Sequence, residues 1–498
     1  MGHYQGRRVL VAGAGVSGVA VTEALLARGA VVTVTDRPGH AGLAALAGRG
    51  ATTVPDAAGP PAGTEEVIVS PGFRPDHPLV LAAQNAGIEV FSEPELAWRL
   101  RPAGAAPWLA VTGTNGKTTT VTMLASILSA AGLRTVATGN IGYPLLDAVL
   151  DPEPYDVLAV ELSSFQLHWS TQLAPEAGAL LNLADDHLDW HGGFDAYADA
   201  KAALWRGSGV AVGNADDPRV AKLLANAPGR TVGFTLGTPA PGQLGVVEDI
   251  LVDRAFGPDG PAGSRSRRLG PAGSRSRPLG PVDTRSRPLG PADSRSRPLG
   301  PEYAVELGTV ADVRPPGPHN VANALAAAAL ARAHGVPAEA VARGLRAYTP
   351  EPHRNAFVAS VGGVDWVDDS KATNPHAAAA SLLSYPRIVW VAGGQLKGVD
   401  VDDLVRLAAP RLAGAVLLGV DRAEIATALA RHAPDLPVVE VASTDDGAMA
   451  EVVAAAARLA RPGDTVLLAP AAASKDMFAS FERRGEAFAA AVAALGGQ

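Results

Sequence analysis

The stretch Leu109-Ala110-Val111-Thr112-Gly113-Thr114-Asn115-Gly116-Lys117-Thr118-Thr119-Thr120 decides the fold of the middle of this chain. An apolar run ends at Val111 and leads into a glycine-bearing turn, and the apolar spacing of residues 121–128 predicts a helix. Backbone N–H groups of such a loop, together with the helix N-terminus, can cradle a polyphosphate. Lys117 would neutralise phosphate charge, and the Thr118 hydroxyl would ligate Mg²⁺. The segment therefore predicts a phosphate-binding loop.

The loop is shorter than the usual pattern for this kind of site. That pattern is G-x-x-x-x-G-K-[ST], and Val111 stands where its first glycine would be. What remains is G-T-N-G-K-T, with a strand before it and a helix after it. The candidate phosphate-binding residues are Gly113, Thr114, Asn115, Gly116, Lys117, Thr118 and Thr119.

Composition narrows the class of protein. A chain of 498 residues is long enough for about three domains, and a hydrophobic fraction of 47% can fill large cores. The net charge of −8 gives no reason to expect nucleic-acid binding. Without cysteine, disulfides and thiolate metal sites are excluded. Because no run of about 18 apolar residues occurs, we expect a cytoplasmic protein without membrane insertion.

Short apolar strands alternate with Ala/Leu-rich helices along most of the chain. This alternation predicts an α/β fold with parallel sheets. We expect three domains: a Rossmann-like domain at 1–104, a central domain with a P-loop ATPase-like parallel sheet at 105–350, and a second Rossmann-like domain at 351–498. The first boundary is placed at the Pro/Gly-rich segment 101–104.

The first domain opens with a glycine-rich turn. A predicted strand at 8–12 leads into Gly13-Ala14-Gly15-Val16-Ser17-Gly18, then a helix to about residue 28 and a strand at 31–35 that ends at Asp36. This order fits the dinucleotide-binding fingerprint. It indicates a nucleotide-like group at the helix N-terminus but does not specify a nicotinamide. Glycines needed only for tight packing are the alternative.

Polar residues gather at strand ends in the central domain. A predicted strand at 155–160 ends at Glu161, a carboxylate suited to a Mg²⁺ shared with ATP phosphates. Another strand at 177–181 leads into a polar segment that contains His187. Lys201 lies on a helix predicted at 197–204 and, on its own, is interpreted as a solvent-exposed lysine.

Residues 264–301 repeat a Ser/Thr-Arg-Ser-Arg-x-Leu-Gly-Pro unit every ten residues. We predict a disordered basic insertion at about 257–301, between strand-like pieces at 249–252 and 303–305. An Arg-Ser tract is able to bind RNA or other anions. A tolerated surface loop is the favoured interpretation.

Taken together, nine segments in order resemble the Mur ligases, the amide-bond-forming enzymes of peptidoglycan precursor synthesis. The resemblance spans nearly the whole chain apart from the repeat insertion. Asp368-Asp369-Ser370-Lys371-Ala372-Thr373-Asn374 and the Phe-Glu-x-Arg-Gly ending are most similar to the branch that adds D-glutamate. The nine segments are 113–118, 139–142, 161–167, 182–189, 319–324, 353–354, 368–375, 393–398 and 468–476.

The resemblance implies roles for residues around ATP and two Mg²⁺ ions. Lys117, His187 and Lys201 would be catalytic, with Lys201 carbamylated so that it becomes an anion able to bind the second ion. The implied metal ligands are Thr118, Glu161, His187 and the carbamylated Lys201. Adenine, phosphate and ribose would be contacted by Asn323, Arg354 and Asp369.

The resemblance also implies two substrates. UDP-N-acetylmuramoyl-L-alanine would be held at its UDP end by Gly15, Val16, Ser17, Asp36 and Arg37, and at its muramoyl-alanine end by Asn140, Ser163, Gln166 and His187. D-Glutamate would be held by Lys371, Thr373, Lys397, Ser474 and Phe481.

The implied reaction is an ATP-dependent ligation through an acyl phosphate, catalysed by a monomer. Four alternatives remain open at this point. They are a nicotinamide-dependent oxidoreductase, a non-catalytic phosphate-loop switch or binding module, a ligase that adds another amino acid, and folate polyglutamylation.

Overall fold

The computed structural model describes residues 4–257, 304–443 and 447–496. Three separate sheets organise these residues, and helices pack against their strands. The α/β class and the three-sheet arrangement predicted from the sequence are confirmed. The repeat insertion predicted at about 257–301, with its alternative role in RNA binding, lies beyond Gly257 and therefore outside the described residues.

The first sheet has five parallel strands in the order β3-β2-β1-β4-β5, a Rossmann-like arrangement. Gly18 allows helix α1 to pack closely on the first turn, because a Cβ there would lie 1.9 Å from the carbonyl oxygen of Gly13. The elements are β1 (Arg8–Ala12), α1 (Val16–Leu26), β2 (Val31–Thr35), α2 (Ala41–Ala47), β3 (Thr52–Thr53), β4 (Glu66–Val69), α3 (Pro78–Asn85), β5 (Glu89–Ser92) and α4 (Glu93–Leu100).

The central sheet has nine strands in the order β14-β13-β12-β11-β10-β9-β6-β8-β7. Its strands are β6 (Trp108–Thr112), β7 (Thr135–Gly139), β8 (Val157–Glu161), β9 (Ala177–Leu180), β10 (Val210–Asn214), β11 (Arg230–Phe234), β12 (Gln243–Val247), β13 (Ile250–Asp253) and β14 (Val305–Thr309). Its helices are α5 (Lys117–Ala130), α6 (Leu145–Leu150), α7 (Ser164–His168), α8 (Leu188–His191), α9 (Phe194–Ala202), α10 (Pro218–Leu224), α11 (Pro318–Ala333) and α12 (Ala338–Ala347).

This sheet is parallel from β7 to β12, and β13 and β14 add an antiparallel edge. The predicted parallel sheet is thus present, and the antiparallel edge is an addition that the sequence did not indicate. A short hairpin joins β12 and β13 there, and such a connection can only pair strands in opposite directions. The phosphate loop lies between β6 and α5, at the carboxyl end of a strand in the middle of the parallel part.

The third sheet has six strands in the order β15-β16-β20-β17-β18-β19, and only the edge strand β15 is antiparallel. The elements are β15 (Ala356–Val361), β16 (Val364–Asp368), α13 (Pro375–Leu382), β17 (Ile388–Gly393), α14 (Asp402–Ala408), β18 (Leu412–Leu418), α15 (Arg422–His432), β19 (Val438–Glu440), α16 (Ala448–Leu459), β20 (Thr465–Leu468) and α17 (Phe481–Gly496).

Several predicted boundaries shift. Helix α5 begins at Lys117 and not at residue 121, because Gly116 adopts φ +82° and lets the chain enter the helix directly after the loop. Helix α9 ends at Ala202, and a 3₁₀ turn continues it over Ala203–Arg206. Strand β14 begins at Val305, not at residue 303.

Among the described residues, no helix is long and apolar enough to cross a membrane.

Candidate active site

The phosphate loop is held in place by hydrogen bonds to neighbouring segments of the central domain. The carbonyl oxygen of Asn115 accepts a hydrogen bond from the Asn182 side chain, and the backbone N–H of Asn115 donates to that same side chain, at 3.1 and 2.8 Å. Thr114 shares a hydrogen bond of 2.8 Å with the hydroxyl of Tyr197. These contacts fix the loop backbone at the N-terminus of α5, as polyphosphate binding requires.

Two lysines meet at one carbonyl of this loop. Lys117 Nζ donates to the carbonyl oxygens of Gly113 and Thr114, each at 2.9 Å. Lys201 Nζ donates to the same oxygen of Gly113 at 2.8 Å, and only 2% of its surface is exposed. Viewed alone, Lys201 was expected to be solvated, and this expectation is wrong. Helix α9 turns its side chain under the loop.

Burial is the main cause of altered protonation at both lysines. It lowers the pKa of Lys117, and the nearby carboxylates of Glu161 and Asp186 oppose the change. The pKa of Lys201 falls well below its usual range, because it is buried and because the Lys117 charge repels a second proton. A neutral amine at Lys201 is thereby favoured.

Glu161 connects the loop to the neighbouring strand. Its Oε2 accepts a hydrogen bond of 2.8 Å from the Thr118 hydroxyl, and its Oε1 accepts one of 3.0 Å from Asn140 Nδ2. Only 2% of Glu161 is exposed, and both its oxygens point at groups predicted to lie at the site. A carboxylate and a hydroxyl side by side are the oxygen donors that Mg²⁺ prefers.

His187 lies on the rim of this cluster and not at its centre. Its Nε2 is 3.5 Å from Asp186 Oδ2, and its ring packs 4.7 Å from the ring of Phe165. Within the described part of the chain, no three His, Asp or Glu side chains converge closely enough to hold a metal ion. Joint metal binding by Glu161 and His187 stays a prediction.

The predicted nucleotide-binding residues line one cleft between the central and third sheets. Asn323, Arg354 and Asp369 all face this cleft, as do Asn115 and Gly116 of the loop. Burial raises the pKa of Asp369 to about 6, against a stabilising hydrogen bond from Ser381. Residues far apart in sequence are therefore brought together in one cleft, and their contact with a nucleotide stays a prediction.

The predicted D-glutamate residues are only partly gathered. Lys371 Nζ lies 5.1 Å from the centre of the Phe481 ring, and burial lowers the pKa of this lysine. Thr373 follows in the same turn, with its N–H bonded to the Lys371 carbonyl, and the Ser474 side chain is buried. Lys397 is exposed, and no hydrogen bond or ring contact links it to Lys371 among the described residues.

The predicted UDP-binding segment is an exposed turn at the start of α1. Gly15 and Val16 are exposed, Val16 to 65%, and Ser17 is half-buried beside them. Asp36 Oδ2 accepts a hydrogen bond of 2.7 Å from the Ala14 N–H, and its Oδ1 accepts one from the N–H of the exposed Arg37. The carboxylate thus lies beside the glycine turn, where the fingerprint places it.

Ser163 and Gln166 form a capping box at the start of α7. The Ser163 hydroxyl accepts from the Gln166 N–H at 3.2 Å, and the Gln166 side chain accepts from the Ser163 N–H at 2.9 Å. Both groups therefore have a structural partner. Their predicted contact with substrate stays a prediction.

Comparison with known proteins gives this geometry a family. The "Mur ligase MurD-like, N-terminal domain" matches residues 7–92, the "Mur ligase middle domain" 111–250, and the "Mur ligase, glutamate ligase domain" 353–472. The UDP-N-acetylmuramoylalanine–D-glutamate ligase of Thermobifida fusca is 54% identical over 503 residues, which cover 99% of each chain.

This chain belongs to the Mur ligase family.

Two further relatives and two solved structures agree. The enzymes with the same name from Streptomyces avermitilis and Mycolicibacterium smegmatis are 54% and 47% identical, over 100% and 99% of this chain and 100% and 97% of theirs. The structure of MurC from Thermotoga maritima is similar with a TM-score of 0.54 at 17% identity, covering 98% of this chain and 99% of that one. The structure of MurF from Acinetobacter baumannii is similar with a TM-score of 0.55 at 21% identity, covering 100% of this chain and 92% of that one. These structures show the Mur ligase fold.

Several residues of this Mur ligase site carried no assigned role in the sequence. Asn182 and Tyr197 fix the loop, Asp186 faces both lysines, and His376 reaches the loop from the third sheet. Asn182 and Asp186 belong to a polar segment after a strand, which was a usable signal. Nothing in the local sequence distinguishes Tyr197 or His376.

A buried guanidinium also supports the amino-acid side of the Mur ligase site. Arg484 is 1% exposed and donates to the hydroxyl and carbonyl of Ser370 and to the carbonyls of Gly393 and Ala472. It thereby ties together three turns at the carboxyl edge of the third sheet. Arg484 belongs to the Phe-Glu-x-Arg-Gly motif of the sequence, but the motif alone does not indicate that its guanidinium is a buried structural group.

Proposed function

We propose that this chain joins D-glutamate to UDP-N-acetylmuramoyl-L-alanine at the expense of ATP, in peptidoglycan precursor synthesis. The observation that carries the proposal is the convergence of Lys117, Lys201 and Glu161 at the phosphate loop, in a chain about half identical over its full length to enzymes of that name. Lys117 offsets phosphate charge, Glu161 provides a metal-binding carboxylate, and Lys201 is the candidate for carbamylation.

The muramoyl substrate would lie between the first two sheets. The exposed turn of Gly15, Val16 and Ser17 offers backbone N–H groups and a helix N-terminus to the diphosphate, and Asp36 and Arg37 lie beside it for the sugar and base. The alanine end would then reach Asn140 and His187, next to Glu161.

In the first step, the alanine carboxylate attacks the γ-phosphate of ATP, giving an acyl phosphate and ADP. Two anions must approach each other, so the site has to offset their repulsion. Lys117 and the loop N–H groups do so from the protein side. Gly113 and Gly116 keep the backbone close to the phosphates, and Asn323, Arg354 and Asp369 line the cleft for the rest of the nucleotide.

Mg²⁺ would be held by the Thr118 hydroxyl, Glu161 and His187, with a carbamylated Lys201 as the proposed ligand of a second ion. When bound, the metal supplies Lewis-acid neutralisation of the transferring phosphoryl group. Carbamylation requires an unprotonated amine, and the lowered pKa of Lys201 favours that form. Reaction with CO₂ would convert the amine to an anion.

In the second step, the amine of D-glutamate attacks the acyl carbon, and phosphate leaves. Lys371, with Phe481 beside it, would bind one glutamate carboxylate, and Lys397 the other. Thr373 and Ser474 provide hydroxyls at the same edge. Because Lys397 is exposed and apart in this structure, its side chain has to turn inward when the amino acid binds.

The proposal includes a monomeric enzyme that works in the cytoplasm and has no nucleic-acid partner. The test of the reaction type is release of phosphate from ATP that depends on both other substrates. Phosphate released with UDP-N-acetylmuramoyl-L-alanine alone, without amino acid, would instead indicate a hydrolase. A nicotinamide-dependent oxidoreductase predicts thermal stabilisation by NAD(P), whereas the ligase predicts stabilisation by the UDP-sugar.

A further inference from the structure

One side chain reaches from helix α13 of the third domain to the phosphate loop. Asn115 Nδ2 lies 2.9 Å from His376 Nδ1, and the two residues are 261 positions apart. Among the described residues, it is the sole side-chain hydrogen bond between that loop and the third domain. The backbone N–H and C=O of Asn115 are both hydrogen-bonded to the Asn182 side chain. The Asn115 side chain takes no part in these two bonds and makes the contact with His376.

The contact engages one nitrogen of the histidine ring and, among the described residues, leaves the other unused. The Asn115 amide is bonded to Nδ1, and Nε2 is a hydrogen-bond donor to a ligand when it carries the ring proton. No hydrogen bond engages Nε2 within the described part of the chain. His376 is exposed and lines the cleft between the loop and the third sheet, so this N–H donor is available to a ligand.

The surroundings of His376 favour an anion. Lys371 and Arg354 of the third domain line the same cleft. The positive charge of Arg354 contributes to lowering the pKa of Lys117. Helix α13 is fixed at this end because Asn374 caps it by accepting from the Ala377 N–H at 2.9 Å. His376 is thus presented on a short, capped helix and does not hang from a loose loop.

We propose that His376 is an ATP-binding residue supplied by the third domain, which donates from Nε2 to the polyphosphate when the phosphate loop is occupied. Its contact with Asn115 holds the ring at the loop before ATP arrives. This inference rests on the proposed function, because it takes the loop to bind ATP. It goes further by adding His376, at the phosphate loop itself, to Arg354 and Asp369, the third-domain residues already proposed for the nucleotide.

The consequence is a coupling between the two domains. A phosphate bound at both the loop and His376 stabilises the arrangement in which Lys371 faces the central site. Nucleotide binding would then favour the closed arrangement before the amino acid binds. A purely packing role of His376 predicts no such energetic link.

The test measures the dissociation constant of a non-hydrolysable ATP analogue, without either other substrate, for H376A, N115A and the double variant. We expect H376A to bind about tenfold more weakly, the loss typical of a hydrogen bond to a charged group. The effect should persist in the N115A background, because His376 would contact the phosphate itself. Thermal midpoints check that each variant is folded.

The control is H432Q, which alters a histidine of the third domain that is paired with Asp402 and does not line the cleft. It should bind the analogue within twofold of the unmodified protein. The inference is overturned if H376A also binds within twofold, or if its effect disappears in the N115A background, which would mean that His376 only holds Asn115. Because binding is measured without amino acid, failure of the D-glutamate assignment would not affect this outcome.

Discussion

Lys117 and Lys201 donate to the same acceptor, the carbonyl oxygen of Gly113, from 2.9 and 2.8 Å. Two protonated ammonium groups that share one acceptor and are both buried repel each other strongly. This repulsion lowers the pKa of at least one of them. Lys201 is the one whose pKa falls furthest. The geometry therefore lowers the pKa of a buried lysine next to the phosphate loop, which favours its unprotonated, nucleophilic form.

Lys201 should carry a carbamate in the active enzyme. K201R keeps a cation that cannot be carbamylated, so we expect kcat to fall on the order of 100-fold, the loss typical when a preorganised charge is removed from an active site. The control variant K222R changes an exposed lysine on α10, and its kcat should equal that of the unmodified protein. Activity of the unmodified protein should fall in CO₂-depleted buffer and return with bicarbonate. An active K201R enzyme, indifferent to bicarbonate, would refute the carbamate.

Gly116 should be irreplaceable for nucleotide binding. It has φ +82°, and a Cβ would lie 2.3 Å from Asn323 Oδ1, whereas Gly132 has φ +83° and open space around a Cβ. Both alanine variants carry a similar backbone cost of about 1 kcal/mol, and only G116A displaces Asn323. We expect ATP affinity to fall at least tenfold in G116A and to be unchanged in G132A. Equal ATP affinities would show that Asn323 is not needed.

Glu93 should make stability depend on pH. This buried carboxyl, at the start of α4, accepts a hydrogen bond of 2.8 Å from the Leu146 N–H at the start of α6. Burial raises its pKa from 4.5 to about 7. The folded state therefore retains a proton that the unfolded state has lost, and stability from Glu93 is full below about pH 4.5 and lost as pH rises through 7.

E93Q tests this dependence, because glutamine keeps the acceptor and never ionises. Relative to the unmodified protein, it should be close to neutral near pH 5 and more stable above pH 8, by up to about 3 kcal/mol. Urea denaturation across this pH range measures the difference. The exposed E339Q serves as the control. A difference that does not change with pH would mean that Glu93 is ionised throughout.

Deleting residues 262–300 should leave turnover unchanged. The chain leaves from β13 and returns at β14, and these strands are antiparallel neighbours at the edge of the sheet. A buried ion pair between Arg332 and Asp253, at 2.9 Å, anchors the departure point, and Arg332 also binds the Gly257 carbonyl. A shortened connection can therefore join the same ends. If kcat/KM drops more than threefold in a folded deletion variant, the passive-loop interpretation fails.

The first strands were predictable because their sequences are short and rich in buried Val, Leu and Ala. β1 and β2 begin and end at the predicted residues, since strands of a parallel sheet covered on both faces are continuous, mostly apolar runs. The phosphate loop was equally visible, because its glycines are required by backbone geometry. Helix ends were less predictable, since caps and 3₁₀ turns depend on contacts made elsewhere.

Tertiary contacts decided what the sequence left open. The segment around Lys201 has the pattern of an exposed helix face, and only the approach of Gly113, 88 residues earlier, makes it a buried amine. The His376 contact joins residues 261 positions apart and leaves no local pattern. Because these partners are so far apart in sequence, the residue types of the site could be predicted from the sequence, but their spatial arrangement could not.

The central claim is the identity of the joined amino acid. The most direct measurement is phosphate release from ATP with UDP-N-acetylmuramoyl-L-alanine and, in turn, D-glutamate, L-glutamate and L-alanine, with mass spectrometry of the UDP-linked product. The account predicts release with D-glutamate and a product heavier by one glutamyl residue. Release with L-alanine or L-glutamate, but not with D-glutamate, would contradict it.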